Sequence, residues 1–153
     1  MLAFTGSGRR LHILDIENLI GAGRFAIADV VVLKRNYEAL VGVGPHDIVV
    51  IGADVRSVLD VWLGWPVRVL PGRGPDGADL LLLEELKQEL ARARFDDVVI
   101  GSGDHIFVEL MAELAARGTT VTCVSRHGSL SRRSRMACHR VVLLAAGATQ
   151  AVA

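Results

Sequence analysis

The sequence is short of several things, and each shortage closes off a class of protein. It has two cysteines in 153 residues, Cys123 and Cys138, with no CxxC pair. Neither a disulfide framework nor a cysteine-rich zinc site is expected. Aromatic residues make up only 5%, too few for a broad platform on which bases stack. No charge predominates: 17 Lys and Arg face 17 Asp and Glu. That excludes a polybasic wrapper of nucleic acid and an acidic tail, though not a local patch. No apolar run approaches the roughly 18 residues of a membrane span. The opening MLAFTGSGRR has no signal-peptide core, so a cytoplasmic protein with no membrane partner is expected. The glycine-rich stretches 21–23 and 72–77 match neither a P-loop nor the dinucleotide fingerprint.

What is present is a core. Hydrophobic residues form 51% of the chain, so folding and not disorder is the expectation. At roughly 150 residues per domain the length fits one domain. It is assigned to residues 10–146, with 1–9 and 147–153 as loose ends. Six short, β-branched, apolar stretches read as buried strands: 11–14, 47–51, 67–70, 98–100, 120–124 and 140–144. Helical patterns alternate with them at 25–41, 55–63, 78–94, 106–117 and 131–138. Strands without a polar face, alternating with helices, imply an α/β fold. The architecture expected is a three-layer α/β/α sandwich around a mainly parallel sheet of five or six strands. Trp62 and Trp65 flank Gly64 at a helix end. They read as core or a packing corner, with a homodimer contact as the lesser alternative.

In an open parallel sheet, ligands bind beyond the carboxyl ends of the strands. The first strand runs out in Leu14-Asp15-Ile16-Glu17-Asn18 and the fourth in Ile100-Gly101-Ser102-Gly103-Asp104. Asp79 opens the long helix after the loop 71–77. Three carboxylates from separate parts of the chain are thereby directed to one edge. Close carboxylates raise one another's pKa, so such a cluster calls for a cation among them. Hard oxygen ligands suit Mg2+ or Mn2+, which polarise phosphoryl oxygens and activate water. Asn18 is placed to hold a phosphate or a metal's water through its amide. Ser102 and its flanking glycines are placed to turn backbone N–H groups toward an anion. The competing expectation is that Asp79 and Asp104 are simply helix N-caps. Glu17 reads as a solvated loop charge. Glu85, about 120° around the helix from Asp79, reads as a surface charge or a support behind the site.

Leu14-Asp15-Ile16-Glu17-Asn18-Leu19 resembles the opening motif of NYN domains, a branch of the PIN-like nuclease superfamily. Gly77-Ala78-Asp79-Leu80 resembles their second motif, and Val98-Val99-Ile100-Gly101-Ser102-Gly103-Asp104-His105-Ile106-Phe107 their third. The segment 120–144, with Gly128-Ser129-Leu130-Ser131 between two strands, is similar to the family's end. The likeness extends from about Leu11 to Leu144. It implies strand order 3-2-1-4-5, divalent-metal-dependent cleavage of RNA, metal ligands at Asp15, Asp79 and Asp104, and Asn18 as their polar neighbour. Two positions depart from the family pattern. A further Asp is common where this chain has Ile106, and a Lys is frequent where it has Asp76. The first implies weaker metal binding or lost turnover; the second returns some negative charge from the loop.

Between Cys123 and Arg140 no acidic residue occurs, whereas Arg126, Arg132, Arg133, Arg135 and Arg140 all fall there. Guanidinium forks suit a phosphate backbone. Arg126, Arg132 and Arg133 are therefore expected to position RNA, the alternative being a solvated helix face. His127 is a further candidate phosphate contact. His105, beside Asp104, is a weaker candidate proton carrier, and His12, inside the first strand, reads as a satisfied histidine. Ser102 lacks His and Asp partners at a spacing that would make it a nucleophile. The residues thus read as a metal-dependent ribonuclease whose Asp15, Asp79 and Asp104 hold Mg2+ or Mn2+. The alternatives are a catalytically impaired RNA-binding or scaffolding module of the same fold, and a phosphatase or nucleotide-processing enzyme on a similar sheet.

Overall fold

Six strands lie side by side in the order β3-β2-β1-β4-β5-β6, every neighbouring pair parallel. They are β1 (Arg10–Asp15), β2 (Ile48–Asp54), β3 (Arg68–Gly72), β4 (Asp97–Gly101), β5 (Thr120–Arg126) and β6 (Arg140–Leu144). The structure is a computed structural model that describes residues 8–74 and 76–145. The expected loose ends therefore fall almost wholly outside the described residues. The expected order 3-2-1-4-5 is present, extended by β6 at the β5 edge. The chain winds outward from β1 to β3 and then returns past β1 to β4. The order thus reverses between β1 and β4, and the crevice at their carboxyl ends is the switch point.

The helices are α1 (Ile16–Ile20), α2 (Ile27–Leu40), α3 (Val58–Gly64), α4 (Gly77–Arg92), α5 (Val108–Ala116) and α6 (Arg132–Ala137). The helix expected at 106–117 begins as a 3₁₀ turn, His105–Phe107. Side-chain alternation along β1 divides the core in two. Leu11 and Ile13 pack with Leu82 and Leu86 of α4 and Met111 and Leu114 of α5. Leu14 packs on the other face with Val30, Leu33 and Tyr37 of α2 and Val61 of α3. These are the three layers expected from doubly buried strands. No helix among the described residues is long and apolar enough to cross a membrane.

Trp65 is buried against Tyr37, with ring centroids 5.4 Å apart, so the core reading holds for it. Trp62 is 50% exposed beside Leu59 and Leu63 on the outer side of α3. One glycine governs the seat of α4. A Cβ on Gly72 would lie 2.3 Å from the backbone nitrogen of Ala78, so only a glycine lets the first turn of α4 close against the end of β3.

Candidate functional site

Each acidic residue reaches the crevice for a local reason. Asp15 follows Leu11 and Ile13 by the two-residue period of β1, on the face that α4 covers. Asp79 lies on the buried stripe of α4 with Leu82 and Leu86, one turn and two turns further on. Asp104 follows β4 and caps the 3₁₀ turn, accepting the Ile106 N–H at 3.3 Å. Asp15 caps α1 in the same way, accepting the Asn18 N–H at 3.4 Å. The capping expectation therefore holds for Asp104 but not for Asp79, which sits inside the first turn of α4. A cap occupies one carboxylate oxygen, so capping and ligation are compatible.

The carboxylates line a cleft of about 230 Å³, together with Glu17, Asn18, Asp54, Asp76 and the backbone of Gly72, Gly74 and Gly77. Oxygens of Asp76, Asp79 and Asp104 lie within 4.8 Å of one another; Asp15 borders this group. Asp79 is only 6% exposed, and its Oδ1 has no hydrogen-bond partner. Burial, then the adjoining carboxylates of Asp15 and Asp104, push its pKa up from 3.8 to about 9. Two carboxylates can bond directly only through a shared proton. Otherwise a cation must lie among them. The donor set of hard oxygens and the orphaned Asp79 oxygen both fit a divalent metal ion.

Sequence reasoning placed Asp15, Asp79 and Asp104 at this edge, and all three are there. It missed part of the rim. Glu17 is not a solvated loop charge: it lies in α1, half-buried, and its carboxylate accepts the Asp54 N–H at 3.3 Å. Burial, with the charges of Asp15 and Asp54, holds its carboxyl above the ordinary value against the pull of that bond. The signal for Asp54 was available, because it ends β2 as Asp15 ends β1. Glu85 is not a surface charge either. It is 5% exposed and ion-paired to Arg68 of β3, away from the cleft. Ile106 does not line the cleft; it is half-buried and packs on the core beside α4 and α5.

The other expected site residues divide into braces and surface groups. Asn18 Oδ1 accepts the Gly103 N–H, and the buried Ser102 Oγ accepts the Asp104 N–H at 3.2 Å. The backbone donors expected to face an anion at Gly103 and Asp104 are thus engaged inside the protein. Arg126 donates from Nε to the Asn18 carbonyl at 2.7 Å, where a cation suits the end of α1. Arg132 and Arg133 are exposed on α6. That helix is fastened to the Asp104 loop from Ser131 N–H to the Gly103 carbonyl at 3.2 Å and from Ser134 Oγ to the Asp104 carbonyl at 3.3 Å. The basic surface therefore adjoins the acidic cleft. His105, 72% exposed, holds Nδ1 at 3.3 Å from the Asp104 carboxylate. His127 is exposed, and its backbone N–H is bonded to the Leu144 carbonyl.

A family model of the NYN domain matches residues 50–145, well over half of the chain. The matched span contains Asp54, Asp76, Asp79 and Asp104 and begins after Asp15. Comparison with curated proteins finds no match. The parallel sheet in the order 3-2-1-4-5-6, the acidic crevice at its switch point and the extent of this match agree: the chain belongs to the NYN domain family, within the PIN-like nuclease superfamily.

Proposed function

We propose that this NYN domain is a divalent-metal-dependent ribonuclease that hydrolyses RNA phosphodiester bonds at the acidic cleft. The observation that carries this reading is the buried, partnerless Asp79 oxygen beside two further carboxylates, an arrangement that is unfavourable until a cation is shared. Asp15, Asp79 and Asp104 would hold Mg2+ or Mn2+. Such an ion supplies a Lewis acid for the phosphodiester and lowers the pKa of the attacking water. Asn18 ties α1 to the loop after β4, and Ser102 braces that loop from within, so that Asp15 and Asp104 are held at fixed separation. Arg132 and Arg133 bind the RNA backbone through its phosphates, with no dependence on sequence. The alternative is a binding module without turnover, which the absence of a carboxylate from position 106 favours.

The test is cleavage of labelled RNA with Mn2+, Mg2+ or EDTA, with a gel shift in parallel. Metal-dependent cutting by the wild type is expected, and none by Asp79→Asn or Asp104→Asn. The Asp79→Asn protein should also melt higher than wild type in EDTA, because carboxylate repulsion is relieved. Wild-type cleavage by both variants overturns the proposal. A shift without cutting at any metal concentration supports the binding module, and turnover of mononucleotides alone supports a phosphatase.

A further inference from the structure

Asp76 occupies the N-cap position of α4, in the loop from β3, with left-handed backbone angles of φ 59° and ψ 7°. It is the only non-glycine among the described residues with positive φ. An aspartate at an N-cap ordinarily turns its carboxylate back onto the free N–H groups of the first helical turn. Asp76 makes no such bond. Its carboxylate borders the cleft instead, with an oxygen within 4.8 Å of oxygens from Asp79 and Asp104. Electrostatics alone would move an exposed carboxylate away from two others, and the cap it forgoes would have rewarded that movement. A separate observation marks the same spot as wanting a ligand: Asp79, with only 6% of its surface exposed, has an Oδ1 with no donor.

We infer that Asp76 is itself a ligand of the cation in this cleft, reaching it from the loop between β3 and α4; the inference rests on the metal-dependent reading above. Mg2+ and Mn2+ take about six oxygens and keep several waters, so a carboxylate from an exposed loop fits beside the more buried pair. With this left-handed backbone the Asp76 side chain stands on the cleft side of the turn and not over the first turn of α4. Ile106 contributes nothing to the cleft, whereas Asp76 adds a carboxylate to its rim from the other side. Cation binding thereby fastens the loop at its junction with α4 to the loop that carries Asp104.

The experiment titrates Mn2+ alone into the metal-free full chain. Binding is followed by the loss of the free Mn2+ electron-paramagnetic-resonance signal and by the rise in melting temperature. Hydrogen exchange of residues 72–80 is measured with and without the ion. Wild type should bind, Asp79→Asn should not, and Asp76→Asn and Asp76→Gly should bind about tenfold or more weakly, as ligand charge is lost. Protection of 72–80 by Mn2+ should disappear in both Asp76 variants. Asp76→Gly should match or exceed the metal-free melting temperature of wild type, because glycine takes the left-handed conformation without strain. Lost affinity in that variant is then a lost ligand and not a lost fold. Wild-type affinity in Asp76→Gly, with binding abolished in Asp79→Asn, overturns the assignment of Asp76 and leaves the metal reading standing. No Mn2+ binding by wild type overturns both.

Discussion

Asn18 Oδ1 accepts the backbone N–H of Gly103 at 3.0 Å, a bond that joins residues 85 positions apart in the chain. It ties α1, which follows β1 directly, to the loop after β4, and so fixes the separation of Asp15 from Asp104. Gly103 is buried, and a Cβ on it would lie 2.0 Å from the Ser129 carbonyl oxygen, so its loop has little room to shift. Asn18→Ala leaves this N–H without its partner and should cost about 1–3 kcal/mol. Urea denaturation measures that loss. The Mn2+-induced rise in melting temperature should shrink as well, because the two strand-end carboxylates are no longer held together.

The strands were legible because each is apolar on both faces, and the site because strand-end carboxylates in a parallel sheet converge. Asp79 was legible as the opening of the one strongly patterned helix. The order of the strands came with the family resemblance and not from periodicity. Other features depend on tertiary packing. The five residues of α1 make too few turns to show a period, so Glu17 looked like loop. Glu85 does lie off the face of Asp79, as its spacing requires, yet it is buried by Arg68, a partner on another element. Arg126 belongs to a basic run, but its guanidinium is engaged by the Asn18 carbonyl, 108 residues away. Pro75-Asp76-Gly77 marks a turn in the sequence, but that signal does not say which of its residues takes the left-handed backbone.

His12 predicts an acid-sensitive fold. Its side chain is wholly buried, with Nδ1 at 2.5 Å from the Tyr37 hydroxyl and Nε2 at 2.9 Å from Asp47 Oδ2. With the proton on Nε2, the neutral ring donates to Asp47 and accepts from Tyr37, so no charge is needed. Burial, opposed by the Asp47 bond and aided by the charge of Arg10, pushes its pKa down from 6.5 to about 4. The unfolded chain takes up this proton near pH 6.5 and the folded chain only near 4. Stability is therefore fully present above pH 6.5 and declines as the pH falls toward 4, by about 3 kcal/mol from this group. The stability difference between wild type and His12→Gln, from urea denaturation at pH 7.5, 6 and 5, should follow that decline. The variant should be the less stable at pH 7.5 and the gap should narrow as the pH falls; groups such as Asp79, whose raised pKa acts in the opposite sense, cancel in the difference.

The surface of α6 predicts salt-dependent binding. Replacing Arg132 and Arg133 with alanine should weaken RNA binding alike for all sequences. It should flatten the plot of log affinity against log salt by roughly one unit for each phosphate no longer neutralised. Neither residue lines the cleft, so the Mn2+-induced melting shift should equal that of wild type. An unchanged salt slope would return α6 to the role of a solvated face.

Ile106 predicts that the residue usual in related domains will not help this one. Its side chain packs on the core that includes Leu82, Phe107 and Met111, while its own N–H is held by the Asp104 carboxylate at 3.3 Å. Ile106→Asp would set a carboxylate against that apolar surface and beside the negative charge of Asp104. The cost should be a few kcal/mol, from burying a charge without a partner. The melting temperature should fall by similar amounts with and without Mn2+, and metal-dependent cleavage should not rise. Ile106→Val, which removes one methylene and adds no charge, should cost about 1 kcal/mol and leave the metal response intact. A melting rise on Mn2+ addition larger in Ile106→Asp than in wild type would mean that the new side chain reaches the cleft. The rim would then accommodate carboxylates from both the loop after β4 and the loop before α4, and the apolar packing of Ile106 would be weaker than its burial implies.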